Sequence, residues 1–339
     1  MIIVMREGAA RESIDRVMSR IGADGLKPVP LVGVERTVIA VIGDERKMFV
    51  ETFAAMPDVE KVMPVLRPYK LAARESRPTT SVIKVGGIPV GGPECVVIAG
   101  PCAVESEEQI VETARRARDA GARILRGGAF KPRTGPYDFQ GLRAEGLRHL
   151  ATARTETGLP VVTEVVDPRD VSLVAEYADM FQIGTRNMQN YLLLKEVGQT
   201  RLPVLLKRGM HARYTEFLLA AEYVMSEGNP NVVLCERGIR TFETYTRNTL
   251  DLNAVPAIRE LSHLPILVDP SHGTGRRSLV SSMSLAAVAS GADGVILEVH
   301  PDPENALTDA DQTISCADLA TLMPRLSAVA AAVGRKLGA

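Results

Sequence analysis

Three cations, four glycines and two prolines share the sixteen residues 126–141, RGGAFKPRTGPYDFQG. Prolines remove backbone donors and fix φ, and glycines open conformations that other residues avoid. This stretch therefore reads as a long loop, not a helix or strand. A loop with Arg126, Lys131 and Arg133 has the chemistry to hold phosphate or carboxylate; incidental charge on a solvated loop is the competing reading. A second set of residue types is scattered further apart: Cys102, His272, Glu298 and Asp309. One thiol, one imidazole and two carboxylates make a mixed N/O/S donor set suited to a divalent transition metal such as Mn, Fe, Co or Zn. Its competing reading is a buried cysteine, a satisfied core histidine and two surface acids. Which reading holds depends on the elements that carry these residues.

From Val96 onward the chain repeats an apolar run, a polar loop and a helical stretch. The runs are VVIAG, RILRG, VVTEV, FQIG, VLLKRG, VVLCERG, ILVDP and GVILEV. Between them lie helical faces such as Phe217, Leu218, Ala221, Val224 and Met225, and a last face of Leu319, Leu322, Met323 and Leu326. Strands alternating with helices imply parallel pairing through right-handed crossovers. Eight units in the C-terminal part predict a (β/α)₈ TIM barrel, with an open doubly wound sheet as the alternative.

In such barrels the chemistry sits at the C-terminal ends of the strands. Those positions carry Cys102, then Arg126 with Lys131 and Arg133, Glu164 and Asp167, and Gln182 and Arg186. They go on to Lys207 and Arg208, Glu236 and Arg237, Asp269 and His272, and Glu298 and His300, with Asp309 in the loop that follows. On one rim, Arg126, Lys131, Arg133, Arg186, Lys207 and Arg237 would suit a substrate with phosphate and carboxylate groups, which arginine binds bidentately. The net charge is only −1, so such recognition must come from local clustering, not from a bulk field. The stretch SHGTGRRS, with Arg276 and Arg277, competes for phosphate at a helix N-terminus, against metal ligation by His272.

Residues 1–70 read as a separate small domain. MIIVM is a strand, and Ile14, Val17, Met18 and Ile21 recur as one helix face. A short strand near residues 28–34 precedes TVIAVIGD, Phe49, Phe53 and Met56 mark a second helix, and VEKVMPVL closes the unit. The order β-α-β-β-α-β is the ferredoxin-like split motif. With no His and no Cys it reads as a packing or small-molecule regulatory domain. Residues 71–94 form a polar connector and a glycine-flanked hairpin, and residues 95–339 the catalytic barrel. Composition is that of a globular protein, 45% hydrophobic and 24% charged. No apolar run reaches the ~18 residues of a membrane span and no cleavable leader is visible, so the expected location is cytoplasmic, with no nucleic-acid or membrane partner. Cys95, Cys102, Cys235 and Cys316 lack CxxC spacing, which fits a reducing compartment.

The motifs AGPCAVES, LRGGAFKPRTGPYDFQG, QIGTRNMQN, PVLLKRG, LCERGIRTFETYTRNTLD, LVDPSHGTGRR and EVHPDPENALTDADQ follow one another along the chain. Together they resemble the metal-dependent 3-deoxy-D-arabino-heptulosonate 7-phosphate (DAHP) synthases, in the subgroup with a ferredoxin-like domain before the barrel. The resemblance implies condensation of phosphoenolpyruvate with erythrose 4-phosphate and water, giving DAHP and phosphate, the first step of the shikimate pathway to aromatic amino acids. It implies that Cys102, His272, Glu298 and Asp309 bind one divalent ion per subunit, Mn²⁺ first, with Fe²⁺, Co²⁺ or Zn²⁺ as alternatives. Arg126, Lys131, Arg186, Lys207 and Arg237 match the phosphoenolpyruvate-binding cations. Lys131, Pro132, Arg133 and Thr134 match the erythrose 4-phosphate segment. Lys131, Lys207 and Glu164 are the candidates for proton handling. The resemblance further implies a homotetramer, and motivates tyrosine or phenylalanine as an effector at residues 1–70.

Two positions depart from the family pattern. Thr185 stands where alanine is usual before the arginine, and Gly135 where serine or threonine is common after KPRT. Neither removes a catalytic group. The alternative enzyme is the related 3-deoxy-manno-octulosonate 8-phosphate synthase, which uses arabinose 5-phosphate and typically carries KANRS in place of KPRT.

Overall fold

The computed structural model describes residues 1–33, 36–43, 50–63, 67–133 and 135–338, which fall into two compact units. The first comprises residues 1–79 together with Leu261–His263. Its strands β1 (Ile2–Met5), β2 (Lys27–Val32), β3 (Thr37–Ile42) and β4 (Val59–Met63) form an antiparallel sheet in the order β2-β3-β1-β4. This is the ferredoxin-like arrangement that the element order predicts. Pro28 and Pro30 lie in β2, an edge strand with one neighbour, where a missing N–H is tolerated. The helix Arg11–Ala23 buries Val17 and Ile21, and the helix Val50–Ala54 buries Phe53. These side chains pack with Met1, Ile3, Met5, Ile39, Val41 and Val59 into one core. Met56, expected on the second helix, lies beyond its end but still packs against that core; Phe49 lies outside the described residues.

The second unit comprises residues 80–260 and 264–339. It opens with a hairpin, β5 (Ile83–Val85) and β6 (Ile88–Val90), joined by Gly86 and Gly87, both at positive φ as a tight two-residue turn requires. Eight parallel strands follow: β7 (Glu94–Gly100), β8 (Ile124–Arg126), β9 (Val161–Glu164), β10 (Met180–Ile183), β11 (Val204–Lys207), β12 (Val232–Glu236), β13 (Ile266–Val268) and β14 (Gly294–His300). Each pairs with the next, and β14 pairs back onto β7 from Gly294↔Val96 to Glu298↔Gly100, so the sheet closes into a barrel. Closure excludes the open-sheet alternative. Two short strands, β15 (Ile314–Ser315) and β16 (Lys336–Leu337), extend β14 and β7.

Parallel strands covered on both faces need continuous apolar runs, and these strands are buried almost throughout. The interior cluster includes Val96, Ile98, Ile124, Val162, Met180, Leu205, Val233 and Leu267. Ile83, Val85 and Val90 of the hairpin belong to the same cluster, which makes the hairpin part of the barrel core. Among the described residues no helix is long and apolar enough to cross a membrane.

Candidate active site

The strand ends deliver the chemistry. Arg126, Glu164, Lys207 and Glu236 are the last residues of β8, β9, β11 and β12, and Glu298 lies near the end of β14. Asp269 follows β13 and caps the helix Pro270–Thr274, its carboxylate accepting the backbone N–H of His272 at 2.9 Å. That cap aims His272 back over the barrel mouth.

Donor atoms of Cys102, Glu298 and Asp309 lie within 4.8 Å of one another. Cys102 Sγ is 3.2 Å from Asp309 Oδ2, and His272 Nε2 is 3.4 Å from Glu298 Oε1. Cys102, Glu298 and Asp309 thus form one cluster, and His272 adjoins it through Glu298, although the four are spread over two hundred residues. His272 Nδ1 lies 2.8 Å from Asp269 Oδ2. A carboxylate only accepts, so Nδ1, at the shorter contact, carries the proton; burial lowers the His272 pKa below 6.5, which leaves the ring neutral at pH 7 with the Nε2 lone pair facing Glu298. That Glu298 oxygen already meets the Arg126 guanidinium, so the case for a metal rests on the donor set: soft sulfur with imidazole and carboxylate suits a divalent transition ion. The residues fit a metal.

The protonation states follow from burial and neighbours. Burial, then the Glu298 charge, pushes the Cys102 thiol up to about 12. Burial would also raise Asp309, but His272, the Cys102 hydrogen bond and Lys131 outweigh it and bring Asp309 down to about 2. Glu298 loses hydration in the same way, yet His272 and Arg126 hold it below the usual carboxylate range. Its two oxygens are occupied: Arg126 Nη1 donates to Oε1 at 2.9 Å, and Gln312 Nε2 donates to Oε2 at 2.6 Å.

Beside this cluster opens a cleft of about 150 Å³. Lys131, Pro132, Arg133, Glu164, Arg186, Lys207, Arg237, His272 and Asp309 all line it. Arg126 is the exception among the predicted cations: it is buried beneath the cleft, committed to Glu298 and to the Cys102 carbonyl, with Nε unpartnered among the described residues. Lys131 Nζ reaches Cys102 Sγ at 3.0 Å and Cys102 O at 2.9 Å, Lys207 pairs with Asp269 at 2.5 Å, and Arg133 lies 3.6 Å from Asp138. Arg237 is buried, and loss of hydration lowers its pKa. Such a cation gains by meeting an anion. Thr134 lies outside the described residues.

Glu164 is buried and accepts from Gln182 Nε2 at 3.1 Å. Gly184 faces it so closely that a Cβ there would stand 2.0 Å from Glu164 Oε1. Thr185 lines the cleft, and its hydroxyl donates to the Arg208 carbonyl. Gly135 faces the Asp138 carboxylate, which a Cβ would meet at 2.9 Å.

Arg276 and Arg277, the competing phosphate candidates, do not line this cleft. Arg276 lies 4.1 Å over the Tyr245 ring and bonds the Tyr245 carbonyl, while Arg277 pairs with Glu304.

Two supporting residues carry no signal that residue type or spacing could expose. Gln312 anchors Glu298, and Arg247 lies 3.4 Å from Asp309. Arg208 is buried between Glu236 at 2.9 Å and Asp251 at 2.8 Å, with Tyr214 beneath it. It ties the ends of β11 and β12 to the loop that carries Arg247. Asp269 was within reach of the sequence: an Asp before Pro, three residues ahead of His, is an N-cap pattern.

The comparisons with known proteins agree with this fold. Residues 75–333 match the DAHP synthetase I family, and residues 1–67 match the DAHP synthase ferredoxin-like domain. A phospho-2-dehydro-3-deoxyheptonate aldolase of Thermotoga maritima is 49% identical over 337 residues, covering 99% of this chain and 100% of the relative. The crystal structure of the Thermotoga maritima enzyme superposes with a TM-score of 0.79 at 48% identity, covering 99% of both chains. A 2-dehydro-3-deoxyphosphooctonate aldolase of Geobacter sulfurreducens is 31% identical over 273 residues, 75% of this chain and 99% of the relative. Both the barrel and the N-terminal sheet fall within these matches, and the chain belongs to the DAHP synthetase I family, in the form that carries the ferredoxin-like domain.

Proposed function

We propose that the chain condenses phosphoenolpyruvate with D-erythrose 4-phosphate and water to give DAHP and phosphate, the entry to aromatic amino acid biosynthesis. The observation that carries this reading is one cleft lined by Lys131, Arg133, Arg186, Lys207 and Arg237 and bordered by the donors Cys102, His272, Glu298 and Asp309. Two substrates with three anionic groups need such a concentration of cations in a nearly neutral chain.

In this reading Lys131, Arg186, Lys207 and Arg237 hold the carboxylate and phosphate of phosphoenolpyruvate, with Arg126 as the charge behind them. Lys131, Pro132, Arg133 and Thr134 hold the sugar phosphate. Cys102, His272, Glu298 and Asp309 would hold one divalent ion, Mn²⁺ in the first instance, which supplies Lewis acidity towards the aldehyde. The enol carbon of phosphoenolpyruvate attacks the aldehyde carbon, and the carbonyl electron pair moves to oxygen, which takes a proton from Lys131. Water adds to the cationic carbon left behind, losing a proton to the Glu164 carboxylate. The hemiketal phosphate then collapses: its hydroxyl proton restores Lys131, the C–O bond to the phosphate breaks, and phosphate leaves with the proton held by Glu164. Fixing both partners in one cleft supplies orientation as well as charge neutralisation.

Residues 1–70 act in this proposal as a regulatory domain for tyrosine or phenylalanine, within a cytoplasmic homotetramer. Deleting them should abolish inhibition by the effector while turnover persists; inhibition that survives deletion removes the assignment.

The reaction itself is tested by offering phosphoenolpyruvate with erythrose 4-phosphate or arabinose 5-phosphate and following phosphate release, after chelation and after Mn²⁺ is returned. Preference for the five-carbon sugar would replace this reading with the octulosonate synthase. Turnover indifferent to chelation would remove the metal.

A further inference from the structure

We infer that Asp269 is a positioning residue that couples the metal-binding side of the cleft to its anion-binding side. The inference rests on the reading of His272 as a metal ligand and of Lys207 as a phosphoenolpyruvate cation. Asp269 is fully enclosed. Its Oδ2 takes Lys207 Nζ at 2.5 Å and His272 Nδ1 at 2.8 Å, while Oδ1 takes the His272 backbone N–H at 2.9 Å. Two groups that serve different ligands therefore compete for one oxygen atom.

The consequence is directional. Hydrogen bonding from Nδ1 to a carboxylate fixes the imidazole tautomer and raises the donor strength of Nε2, the nitrogen that faces Glu298. In the free protein Lys207 takes part of the electron density of Oδ2. Lys207 also lines the cleft, so an anion bound there draws its ammonium away from Asp269. The Asp269–His272 bond then strengthens, and Nε2 becomes the better ligand. Occupancy of the anion side thus tightens cation binding, and linkage requires the converse by the same factor. No contact between the two ligands is needed for this part of the coupling.

The test measures Mn²⁺ affinity by chelator competition, with and without phosphoenolpyruvate, in the wild-type chain and in Asp269→Asn. The expected result is Mn²⁺ binding about 10–100-fold weaker in Asp269→Asn. The tightening produced by phosphoenolpyruvate should shrink in the variant. A merely structural role would lower the melting temperature and leave that ratio where it was. Lys207→Met supplies the second arm: without phosphoenolpyruvate it should bind Mn²⁺ more tightly than wild type, because methionine has no donor and Oδ2 is left to His272. If Asp269→Asn does not fold, this arm decides alone. Wild-type protein that takes up no Mn²⁺ overturns the metal reading and this inference with it. Wild-type protein that binds Mn²⁺ while the variants match it in affinity and in ratio overturns the coupling alone.

Discussion

Lys131 Nζ stands 3.0 Å from the Cys102 sulfur and 2.9 Å from the Cys102 carbonyl oxygen, on the border between the donor cluster and the cleft. Burial works against its charge, but Cys102 and then the carboxylates of Glu164 and Glu298 hold its pKa above the ordinary lysine value. It is therefore an ammonium at neutral pH, able to give a proton and to face an anion. Lys131→Met should lower kcat by about 10²–10⁴, the range for loss of a general acid. Mn²⁺ should still bind, since the four donors remain. Steady-state rates with chelator titration check both halves, and kcat within a few-fold of wild type would exclude Lys131 from proton transfer.

Arg126 and Glu298 form a buried ion pair at 2.9 Å beneath the cleft. Removing one partner of such a pair leaves an uncompensated charge and costs about 3–5 kcal/mol. A divalent ion beside Glu298 would take over part of the compensation. Arg126→Met should therefore lose much more thermal stability in EDTA than in excess Mn²⁺. Calorimetric melts under both conditions decide this, and equal losses would detach Glu298 from the metal.

The barrel was legible because parallel strands buried on both faces need unbroken apolar runs, and eight such runs alternate with helical faces. Once the strand ends were identified, the residues around the barrel mouth followed from topology. The sequence could not show how each side chain is spent. Lys207 and Arg208 are adjacent cations, yet one lines the cleft and the other is locked between Glu236 and Asp251, because successive residues leave a strand in opposite directions. Arg126 read as a substrate cation of the same kind as Lys131, but it lies below the cleft against Glu298. Gln312 and Arg247 were invisible because their roles depend on loop folding, which leaves no periodic trace in the chain.

Arg133 and Asp138 lie 3.6 Å apart at the cleft wall, with Asp138 about half exposed. The carboxylate stands beside the guanidinium that a sugar phosphate would claim. Arg133→Ala should raise the KM for erythrose 4-phosphate far more than the KM for phosphoenolpyruvate. Asp138→Asn should lower the erythrose 4-phosphate KM, by up to about fivefold, since an exposed pair is worth at most about 1 kcal/mol. Equal effects on the two KM values in Arg133→Ala would return this loop to a solvated surface segment.

His263 is buried in the N-terminal unit and donates from Nε2 to the Leu71 carbonyl at 2.7 Å. Burial lowers its pKa from 6.5 to about 4, despite the hydrogen bond to Leu71. Between those values the unfolded chain binds a proton that the folded chain refuses, so stability must fall as pH drops from 6.5 towards 4. At pH 5 the loss from this one group is about 2 kcal/mol. His263→Gln keeps a donor for the Leu71 carbonyl and removes the titration. Its melting temperature should therefore fall less between pH 7.5 and pH 5 than that of the wild-type chain. An unchanged pH dependence would show that His263 becomes protonated without disrupting the fold.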